Sequence, residues 1–360
     1  MKKINLMVST DIDGKGGVAT VVQGYRDCGF FATNNVALIS SHRDGKKFSK
    51  IYAMLYFFSA LAKVFYFHVF YKVGFVHIHM SSRGSYFRKS MIIRIVKMMR
   101  GKVILHLHGG EFHIFYNSEC SHRKKEHIRK TFALCDEIIV LSSQWVDWFQ
   151  KTFSRYNNIE VIYNVVSDVN LKSEKKAIGN ILFLGRMCNA KGVMDLIQSF
   201  SKVVETFPNA RLKLGGDGDV SEYQAEAERL GILNSVQFLG WVAGARKAQL
   251  MAEADIYCLP SYNEGFPMGV LEAMANSVAV VSTRVGGIPD AITSGIDGTL
   301  IDAGDVNALA NALIELITNR ELNDAYVTAA KNKFEQRFSV DAVMPQLNEL
   351  YKKVLAKSTD

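Results

Sequence analysis

Glu264 and Glu272 stand eight residues apart around Gly265-Phe266-Pro267-Met268-Gly269-Val270-Leu271, directly after the short apolar run Ile256 to Leu259. An apolar run that gives way to glycine and then to helix-forming residues reads as a strand, a loop and the start of a helix. At such a junction the exposed backbone N–H groups from Gly265 to Gly269 suit an anion or a hydroxyl. On a helical count eight residues turn about 80° net. The spacing predicts both acids facing one cleft at different depths, Glu264 in the loop and Glu272 two turns down the helix.

Other spacings carry less. Asp11-Ile12-Asp13 and Asp217-Gly218-Asp219 have the D-x-D form that could hold a divalent metal, but two acids one residue apart recur by chance. Asp11 also precedes Gly14-Lys15-Gly16-Gly17, where turn formation or helix capping accounts for it. Lys15-Gly16-Gly17-Val18-Ala19-Thr20 starts like a phosphate loop, yet Ala19 stands where the phosphate-reaching lysine belongs, which argues against an ATPase. His77-Ile78-His79 and His106-Leu107-His108 put paired imidazoles on single strand faces, a metal-like pattern. No cysteine or carboxylate completes it, so His77, His79 and His106 read as core or strand-end histidines, and no metal is expected.

The elements that must position these groups alternate regularly. In the second half, strands are predicted at 181–185, 210–214, 235–239, 255–259 and 278–282, with helices at 193–207, 221–230, 246–253 and 268–276 between them. Short strands alternating with longer helices, with glycine at strand ends, imply a parallel sheet covered on both faces. The first half repeats the pattern with strands at 4–9, 35–40, 75–79, 102–107 and 137–141. Two doubly wound domains joined near Val165 to Ala177 follow, with a ligand cleft expected between them beyond the carboxyl ends of the strands.

A chain of 360 residues, 48% apolar and 22% charged, agrees with two globular domains and excludes a disordered or fibrous protein. Its five cysteines form no C-x-x-C pair or short-spaced framework, which reads as a reduced, cytosolic chain. The apolar run after Lys2 and Lys3 is too short for a signal peptide and reads as the first strand. Charge is uneven: residues 1–170 hold 24 Lys and Arg against 12 Asp and Glu, and residues 171–360 hold 19 against 23. All nine histidines also lie in the first half, which points to an anionic partner there, nucleic acid or an anionic membrane surface.

Two stretches bear on the membrane. Ile51 to Val73 is long and apolar, but Lys63 near its centre argues for a buried or surface-docked helix over a span. From Lys89 to Arg100 the helical period is read as Met91, Ile92, Ile95, Val96, Met98 and Met99 on one arc and Lys89, Arg94, Lys97 and Arg100 on the other. Such a helix either faces the core with a solvated back or meets anionic headgroups or a lipid-linked pyrophosphate.

The string from Glu264 to Glu272 resembles the E-x7-E motif of retaining glycosyltransferase family 4, whose fold is GT-B. Arg186 with Lys191-Gly192, Gly215-Gly216-Asp217-Gly218 and Phe238-Leu239-Gly240-Trp241-Val242 resemble further motifs of that family, as do Gly16-Gly17-Val18-Ala19 and His108-Gly109 with Glu111 in the first half. The resemblance implies an α/β protein of two Rossmann-like domains facing a central cleft. Residues 1–168 would bind the acceptor and 175–339 the donor, with a last helix at about 340–356 returning to the first domain. It implies His108, Arg186, Lys191 and Glu264 as the catalytic set. Arg186 and Lys191 would meet the donor diphosphate, Glu264 the sugar hydroxyls, Glu272 the ribose and His108 the sugar near C6. Gly16, Gly17, Gly240, Trp241, Gly265, Phe266, Pro267, Met268 and Leu271 would complete the donor site, Phe266 to Met268 through backbone amides. An arginine fork and a lysine point charge can stabilise a departing diphosphate without a metal.

The activity implied is a metal-independent, retaining hexosyltransferase using a UDP- or GDP-sugar and needing no cofactor. Its expected acceptor is a glycan, in particular a polyprenyl-diphosphate-linked oligosaccharide of a bacterial surface polysaccharide such as lipopolysaccharide or capsule. Glu111, Arg94, Lys97 and Arg100 would lie on the acceptor side. The expected setting is cytoplasmic, peripheral to the inner face of the membrane and without nucleic acid. The alternatives are a nucleotide-sugar epimerase or hydrolase of the same fold and a non-catalytic scaffolding subunit.

Overall fold

Each half of the chain pairs its strands into a six-stranded, wholly parallel sheet. In the first, β1 (Lys3–Ser9), β2 (Val36–Ser40), β3 (Lys72–Met80), β4 (Val103–Leu107), β5 (Glu137–Val140) and β6 (Ile159–Val161) lie in the order β2-β1-β3-β4-β5-β6. In the second, β7 (Asn180–Leu184), β8 (Arg211–Gly215), β9 (Val236–Gly240), β10 (Ile256–Leu259), β11 (Ala279–Thr283) and β12 (Thr299–Ile301) lie in the order β12-β11-β10-β7-β8-β9. The computed structural model describes residues 2–14, 16–43, 50–153, 158–166 and 177–357. Lys15 and all but the ends of the expected linker, Val165 to Ala177, fall outside them.

The chain divides into two units, Met1–Ser167 with Val340–Asp360, and Asp168–Ser339. Strands buried on both faces need helices on both, and crossover helices between successive parallel strands supply them. β6 and β12, of three residues each, were not predicted, because so short a run shows no period. Sheet order reverses between β1 and β3 and again between β7 and β10. At such a point the two following loops diverge and leave a crevice beyond the strand ends.

Alternation along β3 divides the first unit's interior. Val76, Ile78 and Met80 join Leu6 and Val8 in one apolar cluster, while His77 and His79 point to the opposite face. The helix Val340–Ala356 belongs to this unit, with Leu347, Leu350, Tyr351 and Val354 buried. Lys353 and Lys357 from this C-terminal segment reach Glu137 Oε1 at 3.1 and 2.6 Å, where that carboxylate is 1% exposed.

Two sequence expectations need correction. The basic segment lies in the helix Gly84–Met98, in which Lys89 is 2% exposed beside Ile92, Ile93 and Val96. Positions i, i+3, i+4 and i+7 share one helical face, so Lys89 belongs to the buried side and not to the basic arc. Met98 is exposed, Arg94 donates to Thr131 Oγ1 at 3.0 Å, and Lys97 pairs with Asp136 at 3.0 Å. The expected basic face is therefore partly covered by the unit itself, and Arg100 stands beyond the helix end in a left-handed conformation. The apolar stretch forms the helix Lys50–Phe70 and then passes into β3. Phe57, Ala60 and Val64 point inward, whereas Ile51, Met54, Leu55, Phe58, Phe65 and Val69 are exposed. By length and composition alone this helix could cross a membrane.

Candidate active site

The loops leaving β7 and β10 meet where the second sheet reverses. Lys191 ends the short turn Asn189–Lys191 after β7, and its Nζ lies 2.5 Å from Glu264 Oε1 in the loop after β10. Ser261 Oγ donates to the same carboxylate oxygen at 2.8 Å, and the Tyr262 N–H donates to the Ala190 carbonyl at 3.0 Å. The sheet thus brings together a cation and an acid 73 residues apart in sequence. Arg186, on the same β7 loop, extends into solvent with Asp217 Oδ1 at 3.8 Å.

Glu272 is the fifth residue of the helix Met268–Ala275, about one turn from its start. The expected depth of two turns is corrected, because residues 264–267 are not helical and the helical count does not run through them. Lys247, on the helix Gly244–Glu253, donates to Glu272 Oε1, while Oε2 has no partner among the described residues. Tyr257 of β10 lies beneath both acids, its hydroxyl donating to the Leu184 carbonyl at 3.2 Å. Burial first, then the charges of Glu272 and Glu264, push that phenol well above its ordinary pKa.

Two glycines are fixed by contact. A Cβ at Gly269 would lie 2.0 Å from the Tyr257 hydroxyl, and one at Gly286 would lie 1.9 Å from the Glu264 carbonyl oxygen. Gly286 also has φ +57°, a region that suits glycine, and the next N–H, from Gly287, donates to the Gly265 carbonyl at 2.7 Å. The loop after β11 therefore braces the loop that carries Glu264.

The other expected donor residues differ in burial and setting. Leu271 is fully buried and Phe266 packs its ring 5.6 Å from that of Phe338, which leaves the backbone amide expected of Phe266 unaffected. Pro267 caps the helix Met268–Ala275 but has no N–H, so the expected amide donation is left to Gly265, Phe266 and Met268. Gly240 closes β9 and Trp241 follows it, 46% exposed. Asp219 accepts from the N–H and hydroxyl of Ser221 at 3.0 and 2.6 Å, bonds that hold its carboxyl below the usual range.

In the first unit, Gly16 caps the helix Gly17–Asp27, whose first turn has no side-chain cap and no acid. Asp11 accepts from the Asp13 N–H at 3.1 Å and from Tyr56 at 3.1 Å, with Arg43 at 3.4 Å, as a turn-forming residue does. His77, His79, His106 and His108 stack on one face of β3 and β4, with neighbouring ring centroids 4.1 to 5.3 Å apart. His77 Nδ1 meets the Tyr351 hydroxyl at 2.7 Å, His77 Nε2 meets His106 at 3.2 Å, and His79 Nδ1 meets His108 Nε2 at 2.7 Å. Burial holds all four well below the ordinary histidine pKa, His77 and His108 at about 3. His77, His79 and His106 bring ligand atoms within 4.8 Å of one another, all of them buried. Glu111 is exposed and bound by Arg83, which also holds Glu119.

Sequence reading missed Lys247, Tyr257, Gly286 and Arg83. The last three stand close to motifs or helix starts, but nothing in the spacing of Lys247 signals its pairing 25 residues away.

Residues 167–333 match the family described as Glycosyl transferases group 1. An uncharacterized glycosyltransferase of Methanocaldococcus jannaschii is 30% identical over 62% of this chain and 61% of its own. The N-acetyl-alpha-D-glucosaminyl L-malate synthase of Bacillus anthracis is 28% identical over 72% and 71%. The chain thus spans less than two thirds of the first relative's length. Among solved structures, sucrose-phosphate synthase from Thermosynechococcus elongatus superposes with a TM-score of 0.81 at 16% identity, covering 99% of this chain and 100% of that one. Anabaena HepE in complex with UDP-glucose gives 0.74 at 21%, covering 98% and 100%. Residues 167–333 are thus similar to a group 1 glycosyl transferase domain, in a chain whose two parallel sheets have the GT-B fold.

Proposed function

We propose that the protein is a retaining, metal-independent glycosyltransferase of family 4 that transfers a sugar from a UDP- or GDP-sugar to an acceptor hydroxyl. The observation that carries this reading is the Lys191–Glu264 pair at the β7/β10 reversal, beside the uncapped first turn of Met268–Ala275. A cation and free helical N–H groups suit a diphosphate, and an acid held by lysine and serine suits sugar hydroxyls. HepE, solved with UDP-glucose, lends support to a nucleotide-sugar donor.

In this reading Arg186 and Lys191 stabilise the negative charge that grows as the bond from the anomeric carbon to the diphosphate breaks. The acceptor oxygen forms its bond to that carbon on the same face, and the departing phosphate oxygen takes the acceptor proton. Glu264 orients the sugar, and Glu272, held by Lys247, binds the ribose. The acceptor is proposed as a glycan on a polyprenyl diphosphate, worked at the inner face of the membrane. The exposed apolar stripe of Lys50–Phe70 supports that setting, since lipid contact would cover its rings.

The test is incubation with UDP- and GDP-sugars and a lipid-linked acceptor extract, with and without EDTA. An α-glycoside from an α-linked donor, formed in EDTA, is expected from the anomeric proton coupling. A β-glycoside would reject retention, and loss of activity restored only by Mg²⁺ or Mn²⁺ would reject metal independence. Donor turnover without any acceptor product would favour the epimerase or hydrolase.

A further inference from the structure

His79 and His108 meet at the carboxyl ends of β3 and β4. Their ring centroids are 4.9 Å apart, the planes differ by 21°, and His79 Nδ1 lies 2.7 Å from His108 Nε2. At that centroid distance so short an N···N separation puts the rings edge to edge, as an N–H···N bond requires. The backbone holds the same contact, since the His108 N–H donates to the Met80 carbonyl at 2.6 Å. His106 stacks on His108 with centroids 4.1 Å apart and covers one face of its ring.

Burial keeps both rings neutral, so each carries one proton, and of the two facing nitrogens one donates and the other accepts. The outer nitrogens decide which. His79 is 1% exposed, and its Nε2 is buried without a partner among the described residues. If His108 Nε2–H were the donor, His79 would carry its proton on that buried Nε2, and a buried N–H with no acceptor is rarer than an unbonded acceptor. Lys89, whose charge bears on both rings, has donors only and could not take that proton. With His79 Nδ1–H as the donor, His79 Nε2 is a bare lone pair and His108 keeps its proton on Nδ1. That nitrogen bonds to no described residue and is not sealed from solvent, so it belongs to the 4% of His108 that remains exposed.

We propose that His79 is a positioning residue that holds His108 with its proton on Nδ1, so that the strand end offers a neutral hydrogen-bond donor to an oxygen of a bound substrate. Which nitrogen of a histidine carries the proton is set by the bond that the other one makes. The tautomer rests on the geometry of the pair; its use on a substrate oxygen rests on the glycosyl-transfer reading, and the experiment separates the two.

Nitrogen NMR of the full chain, without substrate, reads the tautomer, because protonated and bare ring nitrogens resonate far apart; the His108 signals are those lost in His108→Gln. The wild type is expected to show a protonated Nδ1 and a bare Nε2. In His79→Leu, where nothing orients the proton, the two shifts should move toward each other, and His79→Asn, whose amide can stand where Nδ1 stood, should restore the wild-type pattern. His79 lines a cavity of about 230 Å³, so a side chain of another shape can be housed there, and melting curves check that both variants are folded. With UDP- and GDP-sugars and a lipid-linked acceptor extract, kcat/KM is expected to fall ~3- to 10-fold in His79→Leu, the scale of one hydrogen bond, and to recover in His79→Asn. A wild-type His108 protonated on Nε2 overturns the proposal even if no variant folds. A tautomer unchanged in His79→Leu, or an activity loss that His79→Asn does not recover, overturns it as well and leaves His79 a packing residue. The expected spectra in a chain that transfers no sugar would refute the transfer reading alone and leave the hold of His79 on His108 intact.

Discussion

Lys191 Nζ and Glu264 Oε1 lie 2.5 Å apart, with Ser261 on the same oxygen, so the residue proposed for the donor phosphate already neutralises the one proposed for the donor sugar. A donor with both groups can be read by one connected set of charges. Lys191→Ala and Arg186→Ala are each expected to lower kcat by ~10²–10³, the scale of one transition-state charge donor. Arg186 is largely solvent-exposed, so its variant should melt like the wild type. Near-wild-type rates in both variants would remove the diphosphate assignment.

Glu272 and Lys247 form the second pair, and the buried Glu272 Oε2 has no partner among the described residues. Glu272→Ala is expected to raise KM for the nucleotide sugar far more than it lowers kcat. Lys247→Ala should do the same more weakly, with Lys247→Arg restoring part of the affinity. Calorimetry with UDP and GDP measures this, and a kcat loss at unchanged affinity would contradict it.

The stacked histidines set a pH dependence of stability. Their folded pKa values lie below the unfolded value near 6.5, so at lower pH the unfolded chain binds protons that the folded chain resists. Stability is retained above about pH 6.5 and falls from there toward pH 3, by up to ~1.4 kcal/mol per pH unit for each imidazole. Urea midpoints between pH 8 and 5 should drop as this window is entered. A flat profile would show that the stack accepts protons without cost.

The exposed stripe of Lys50–Phe70 is expected to carry lipid contact. Phe58→Glu with Phe65→Glu should release the protein from anionic vesicles, since each buried ring is worth ~1.5–3 kcal/mol. Arg94→Glu and Lys97→Glu should instead lower the melting temperature, because those side chains hold Thr131 and Asp136. Vesicle binding that survives the double Phe variant would move the contact elsewhere.

Local pattern was enough for much of this protein. The alternation of short apolar runs with longer periodic segments announced ten of the twelve strands, because burial imposes period and length on each element separately. The strand-end loops that carry Arg186, Lys191 and Glu264 were legible for a similar reason, since such a loop leaves its mark in neighbouring glycines and prolines, whereas the roles proposed for these residues and for Glu272 come from the family resemblance. Tertiary structure decided what depends on partners far along the chain. Lys89 reads as a solvated cation until its helix docks and turns it inward, and the burial of the Leu271 and Phe266 side chains is likewise set by the core around them. Lys247 finds Glu272, and His79 finds both His108 and a cavity, only because parallel strands order residues by sheet position and not by sequence. A one-dimensional period tells which face of an element is apolar; which neighbour that face meets is set by the crossovers that assemble the sheet.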